Sequence, residues 1–310
     1  MSAGWVAGAV RARAMADRYP GAAGAREIAG CSSLDEALRR LAGTPYVKYV
    51  REAAGLPDAQ RAVSATLLWH LRVLAGWLPR GGALVLVPLV SGFEVANVVA
   101  RLAAPGGRGT GAPGPPYRLG ALETVWRRLA EAGTPAELRA VLAASPWGDP
   151  GDDTPWALIT GMRMAAARRT ALGVPQARDW AVARAALLTA RELFVHGRSL
   201  PEPVRRDAAR LLGGRAPTAA SYQEFREVLQ APARRLLADV EEPQELWRAE
   251  VRWWRSVHDD GTALLRDCRH GPGVVVGAVA VLSVDAWRVR AALESAARGG
   301  RPGEAFDALA

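Results

Sequence analysis

Apolar positions along this chain recur at helical spacing, and the polar positions between them set where helices start and stop. Leu34, Ala37, Leu38 and Leu41 fall on one side of a helix, because residues three and four apart share a face. Ser33 stands before them and Glu36 three residues on, the order of a capping box. In that arrangement the Ser oxygen accepts the backbone N–H three residues on, and the Glu reaches back to the cap. Thr44-Pro45-Tyr46 closes the run, since proline cannot continue a helix. The pattern returns twice. Thr134-Pro135-Ala136-Glu137 opens a run to Leu142 that closes on Ser145-Pro146-Trp147, and Ser221-Tyr222-Gln223-Glu224 opens one to Leu229 that closes on Ala231-Pro232. The first two copies align without a gap; in the third the proline comes one residue early. One S-x-x-E carries little weight. Three, each with Leu eight residues after the cap, point to an internal triplication.

The remaining segments also read as helix. Residues 4–18 form a first helix ended by Tyr19-Pro20-Gly21, and 58–78 a second with Val63, Leu67, Leu71, Leu74 and Leu78 on its apolar side. Residues 83–103 are helical but broken or kinked at Pro88 and Gly92, and 104–116 are a Gly/Pro-rich linker unable to pack a core. Helices are then expected through Arg128, at 155–171 and 176–196, up to Leu212, at 243–258, and after Gly273 through Ala297. Val274-Val275-Val276 has strand character but flows without a turn into a helical pattern. The predicted class is all-α, in three similar helical units at 1–116, 117–216 and 217–310.

Composition agrees with that class. The 310 residues are half hydrophobic, enough to bury a large core, and Ala, Leu and Arg favour helix. No Rossmann or P-loop glycine pattern stands out. The net charge of +9 raises nucleic acid or an anionic membrane as partners. However, Lys48 is the only lysine, and the arginines are spread among Asp and Glu. That skew matches a GC-rich genome and argues against a nucleic-acid binder. Cys31 and Cys268 lie far apart, so no disulfide framework is expected. Arg11, Arg13, Asp17 and Arg18 interrupt the N-terminus, which excludes a signal peptide reading. The longest apolar stretches, 83–90 and 274–284, fall short of the ~20 residues of a spanning helix. A soluble cytoplasmic chain without a transmembrane helix is expected.

Candidate chemistry is sparse. His258, Asp259, Asp260, Cys268 and His270 are the densest potential ligands, but they lack the tight pairs of a zinc site and read as a polar helix end before a loop. His70 and His196 sit singly in helices. Asp152-Asp153-Thr154 and Glu241-Glu242 sit at turns, where acidic groups cap the next helix rather than share a catalytic cleft. The eleven tryptophans are scattered at helical spacing, with Trp253-Trp254 the one adjacent pair, so they read as core rather than stacking platforms. No catalytic, cofactor or metal site is assigned, and no enzyme activity is expected. One further pattern recurs: Glu94 leads Asn97 and Val98 late in the first unit, and Asp285 leads Arg288 and Val289 late in the third. An acid on a buried helix with a polar residue three later can tie helices together.

Taken together these features resemble the C subunit (d in eukaryotes) of rotary V/A-type ATPases. The opening helix from Gly4 to Arg13, with its small residues and paired arginines, is similar to the family's. So is the S-L-x-E…L…T-P-Y unit at 33–46 with its copy at 134–147, and Glu94-Val95-Ala96-Asn97-Val98 matches the family's acidic-x-x-Asn-Leu pattern. Asp285 to Arg290 matches in part, with Arg288 in the place of Asn, and Arg191-Glu192-Leu193 is the nearest candidate in the second unit. The resemblance implies three units in a pseudo-threefold funnel that binds no cofactor. It implies a peripheral protein on the cytoplasmic side of the cell membrane, with the proteolipid c-ring and central rotor-shaft subunits as partners, carrying torque for ion transport without catalysis. Two rivals stand beside it: a helical-repeat scaffold with an unrelated partner, and an enzyme with a site assembled from scattered helices.

Overall fold

All three capping boxes form. Ser33 Oγ, Thr134 Oγ1 and Ser221 Oγ accept the backbone N–H of Glu36, Glu137 and Glu224 at 3.3, 3.2 and 3.1 Å. The returning carboxylates correct the expectation. Each passes its cap and accepts the N–H of the residue before it: Ser32 at 2.9 Å, Gly133 at 2.6 Å and Ala220 at 2.9 Å. The cap residues are extended, and the preceding N–H is carried over the first turn, where the carboxylate meets it. The first two copies also end alike. Thr44 Oγ1 donates to Leu41 O (2.6 Å) and accepts from Tyr46 N (3.3 Å), while Ser145 Oγ donates to Leu142 O (2.7 Å) and accepts from Trp147 N (3.2 Å). In the third copy, where Pro232 replaces the hydroxyl, Arg234 Nε donates to Leu229 O at 2.9 Å.

A computed structural model describes residues 3–103 and 114–300; the linker expected at 104–116 lies almost wholly outside the described residues. Among these residues every regular element is helical. In chain order the α-helices are α1 (Ala3–Ala16), α2 (Gly21–Ala29), α3 (Leu34–Leu41), α4 (Val47–Val50), α5 (Leu56–Trp77), α6 (Leu86–Ala103), α7 (Trp126–Glu131) and α8 (Pro135–Ala143). They continue with α9 (Pro155–Gly173), α10 (Arg178–Ala190), α11 (Glu202–Leu212), α12 (Tyr222–Val228), α13 (Ala231–Leu236), α14 (Leu246–Arg266) and α15 (Pro272–Ala297). Several expectations change. A helix, α2, follows Pro20 directly. Pro88 does not break α6, because it sits in the first turn, where a missing N–H leaves no bond unmade. Residues 117–128 hold only a 3₁₀ turn, Gly120–Leu122, and the start of α7. Pro232 opens α13 rather than merely ending α12.

The chain forms two compact units that do not follow its order. One takes the chain up to Leu86 together with the part from Trp254 onward; the other takes Val87–Trp253. In the first unit α15 is the spine and packs on α1, α2, α3 and α5. Val275, Val276, Leu282, Val289 and Leu293 on it are fully buried. Arg13 of α1 fixes the end of α14, donating to Leu265 O (2.9 Å) and Asp267 O (2.6 Å), where a cation also meets the negative end of the helix. α14 and α15 touch backbone to backbone: a Cβ on Gly277 would lie 2.6 Å from Gly261 O, and one on Gly261 2.7 Å from Ala280 Cβ. In the second unit one core gathers Leu187, Leu212, Phe225, Leu229 and Leu237, and another Val98, Leu129, Leu142, Trp147 and Leu158.

The expectation that no helix reaches spanning length is corrected. Gly82–Ala103 and Pro272–Ala297 are long and apolar enough by length and composition to cross a bilayer. Each carries a fully buried carboxylate at its middle, Glu94 and Asp285, and in Pro272–Ala297 most of the apolar window is covered by the protein. Pro272–Ala297 serves as a core helix, and core helices have the same composition as spans, whereas most of the Gly82–Ala103 window is not covered.

Filling the α14–α15 crossing tests this packing. Gly277→Val forces the two backbones apart and is expected to destabilise the first unit by ~2–4 kcal/mol, read from urea unfolding, while Gly76→Ala, where a Cβ meets open space, leaves stability nearly unchanged.

Candidate functional site

Three carboxylates are buried on the late helices, and each accepts an indole or phenol hydrogen bond. Asp285 on α15 accepts from Tyr46 Oη through Oδ2 (2.7 Å) and from Gly21 N through Oδ1 (2.6 Å). Glu94 on α6 accepts from Trp147 Nε1 (3.1 Å), Thr124 N (2.7 Å) and Val125 N (3.0 Å). Tyr46 and Trp147 hold equivalent places, two residues after the hydroxyl that closes a capped helix. Gly21 begins α2 and Val125 precedes α7, so in both copies the carboxylate also caps the helix ahead of the capped one. Asn97 adds a second clasp, accepting from Tyr117 N (2.7 Å) and donating to Tyr117 O (3.0 Å).

The third tie is rebuilt. Glu192 lies in a π-helical turn, Arg191–Val195, that follows α10, and its Oε2 accepts from Trp156 Nε1 at 2.7 Å. Trp156 again follows a hydroxyl and a proline, Thr154-Pro155, although here the tripeptide opens a helix. Phe194 in the same turn packs edge-on against Tyr222 and tilted against Phe225 of α12. The late-helix acids anticipated at Glu94, Asp285 and Glu192 are therefore all buried; their aromatic donors were not anticipated, although Pro-Tyr, Pro-Trp and Pro-Trp stand in the sequence.

Beside the Asp285 tie the first unit opens a cleft of about 630 Å³ lined by Arg11, Arg18, Lys48, Trp69, His70 and Tyr19, among others. Tyr19 packs edge-on against Tyr46 at 5.2 Å, and its hydroxyl shares a 2.5 Å hydrogen bond with His70 Nδ1. Burial pushes the Tyr19 phenol well up, with the Asp285 charge adding to it. Burial pushes the His70 imidazole down to about 4, and Arg11, Arg18 and Lys48 repel its proton further while a Thr66 backbone hydrogen bond opposes them. Both groups are neutral at pH 7. Lys48 Nζ lies 4.2 Å from the Trp69 ring centroid, and the Arg11 guanidinium 5.7 Å from that of Trp77. Burial also raises the Asp285 carboxyl, an effect its hydrogen bonds from Tyr46 and Gly21 and the nearby Arg288 hold back.

The other singled-out residues stay dispersed. His258, Asp259 and Asp260 lie within α14, which runs on to Arg266, so the expected helix end is corrected; Cys268 and His270 lie beyond it. Among the described residues no group of three or more His, Cys, Asp or Glu is placed to hold a metal. Asp152 accepts from Thr154 N (2.8 Å) and Thr154 caps α9, whereas Glu242 precedes a 3₁₀ turn without a side-chain cap bond. Trp253 Nε1 donates to Trp180 O at 2.8 Å and Trp254 packs on Trp287.

Asp285→Ala strands the Tyr46 hydroxyl and the Gly21 N–H, and urea unfolding is expected to show a loss of ~2–4 kcal/mol; Asp285→Asn, which keeps an acceptor, loses less. His70 gives a pH signature. Its folded value of about 4 lies below the unfolded 6.5, so between those limits the unfolded chain binds a proton that the folded chain does not. Its contribution is present above pH 6.5 and is lost as pH falls toward 4. The drop in thermal midpoint from about pH 7 to about pH 5 should be smaller in His70→Gln than in the parent. No protein-family model matches this chain, and no curated protein is similar to it in sequence.

Proposed function

We propose that this chain is a non-catalytic spacer of the central stalk of a rotary V/A-type ATPase, as its resemblance to the spacer of those machines implies. The observation that carries the reading is that the late helix of each third reaches the capped-helix region of another third, twice through a buried carboxylate and once through an aromatic ring. Glu94, from the first third, holds Trp147 behind α8. The turn bearing Glu192, from the second, meets α12 through Phe194. Asp285, from the last, returns to Tyr46 behind α3.

That cyclic order is the one a closed set of three similar units requires, because the late helix of each unit meets the next and the last meets the first, through a buried acid in two cases and through the Phe194 ring in the third, where the Glu192 carboxylate stays on Trp156 of its own unit. It favours a pseudo-threefold arrangement over an open one. A solenoid would leave its first capped helix without a partner from the last unit. A spacer that carries torque has to be stiff, and buried ties within close-packed helices supply stiffness. The proposed partners are the proteolipid c-ring at the cytoplasmic membrane face and the foot of the rotor shaft.

Affinity purification of the chain from mildly solubilised native membranes tests the reading. Recovery of a small proteolipid with rotor-shaft and ATPase-head subunits is expected. Isolation without them, from membranes shown to contain the intact pump, would overturn it in favour of a helical scaffold with another partner.

A further inference from the structure

We propose that the cleft lined by Arg11, Arg18 and Lys48 binds the phosphate group of an organic phosphate, free or as a lipid headgroup. Three cations converge there and no carboxylate lines the cleft. Among the described residues none of the three makes an ion pair, and the buried Arg11 Nε has no hydrogen-bond partner. A second cleft, of about 370 Å³ in the other unit, shows the ordinary outcome. Its Arg168 and Arg210 pair with Asp207 at 2.8 and 3.0 Å, and Asp149 pairs with Arg139 at 2.9 Å. Charge there is compensated from within; charge beside Trp69 is left for a ligand to compensate.

The walls fit such a ligand. A guanidinium offers paired donors and an ammonium a compact charge, which together suit phosphate oxygens. The volume lies in the range of small-molecule sites, and Trp69 and the Tyr19 ring provide apolar flanks. Neutral His70 adds hydrogen bonding without a negative charge. Trp77, under the Arg11 guanidinium that lines the cleft, is 51% exposed, as suits a contact with lipid or with the organic part of the ligand. The argument is independent of the spacer reading: the cleft lies within one unit, and its test needs no other protein.

Calorimetric titration of the full chain with pyrophosphate, and flotation with phosphatidylcholine vesicles with or without phosphatidic acid, provide the test. Arg18 and Lys48 make no hydrogen bond or ion pair that the fold needs, so R18Q and K48Q should keep the parent's circular dichroism and lose at least tenfold in affinity. R127Q, at an exposed pair in the other unit, serves as the control and should bind as the parent does. Binding should also raise the titration midpoint of His70, followed by NMR on labelled histidine, since a bound anion offsets the repelling cations. Pyrophosphate binding assigns a soluble ligand; binding to acidic vesicles alone assigns a headgroup. No binding in either format, or equal losses in R18Q, K48Q and R127Q, would overturn the proposal.

Discussion

A carboxylate taken out of water must find hydrogen-bond donors, and this fold is arranged around meeting that demand. Asp285 and Glu94 each sit at the middle of a mostly apolar helix. Each finds its donors in one ring and one helix start brought from elsewhere in the chain. An apolar residue at either position could slide along a smooth helix face. A charged acceptor with two or three directed donors fixes both distance and rotation, so each tie sets the register of its late helix against two neighbours. The third site shows what the constraint allows. With no ring at the equivalent place behind α12, Glu192 is reached through a π-helical turn and takes an indole from the start of α9 instead.

The same demand explains why the first compact unit joins both ends of the chain. Asp285 belongs to α15, yet its donors are Tyr46 and Gly21. Arg13 of α1 holds the end of α14, and Gly261 and Gly277 let α14 and α15 close to backbone contact. The Asp285 and Arg13 contacts join residues from opposite ends of the sequence, and they make the C-terminal helix the core of the N-terminal elements. A helix as apolar as α15 is covered by partners within its own unit.

Electrostatics divide the surface less evenly than the overall charge implies. Many arginines answer a nearby carboxylate, as Arg168 answers Asp207 and Arg184 answers Glu250, and pairs open to solvent contribute little to stability. The cleft beside Tyr19 and His70 departs from that rule. Its cations face a neutral imidazole, kept so by burial, and a neutral phenol. Part of the basic excess is therefore gathered at one place, which the even spread of arginines along the sequence conceals.

Local chemistry was legible in the residues themselves. The all-α class, the three capped helices, their stops and the late-helix acids could be read because capping and helical periodicity act over a few neighbouring positions. Several things at that scale escaped, among them α2, hidden behind Pro20, the run of α14 past His258 to Arg266, and the destination of the capping Glu, which depends on the extended cap backbone. Everything that depends on distant pairing had to come from the tertiary structure. Tyr46 and Asp285 show no periodic relation across the chain, and nothing in Arg11, Arg18 and Lys48 as letters says they share a cleft. The sequence by itself determined which segments favour helix and where capping and proline bound them. The tertiary structure alone decided which buried acid meets which ring, and which cations are left unpaired, because those outcomes depend on desolvation and geometry between residues that only folding brings together.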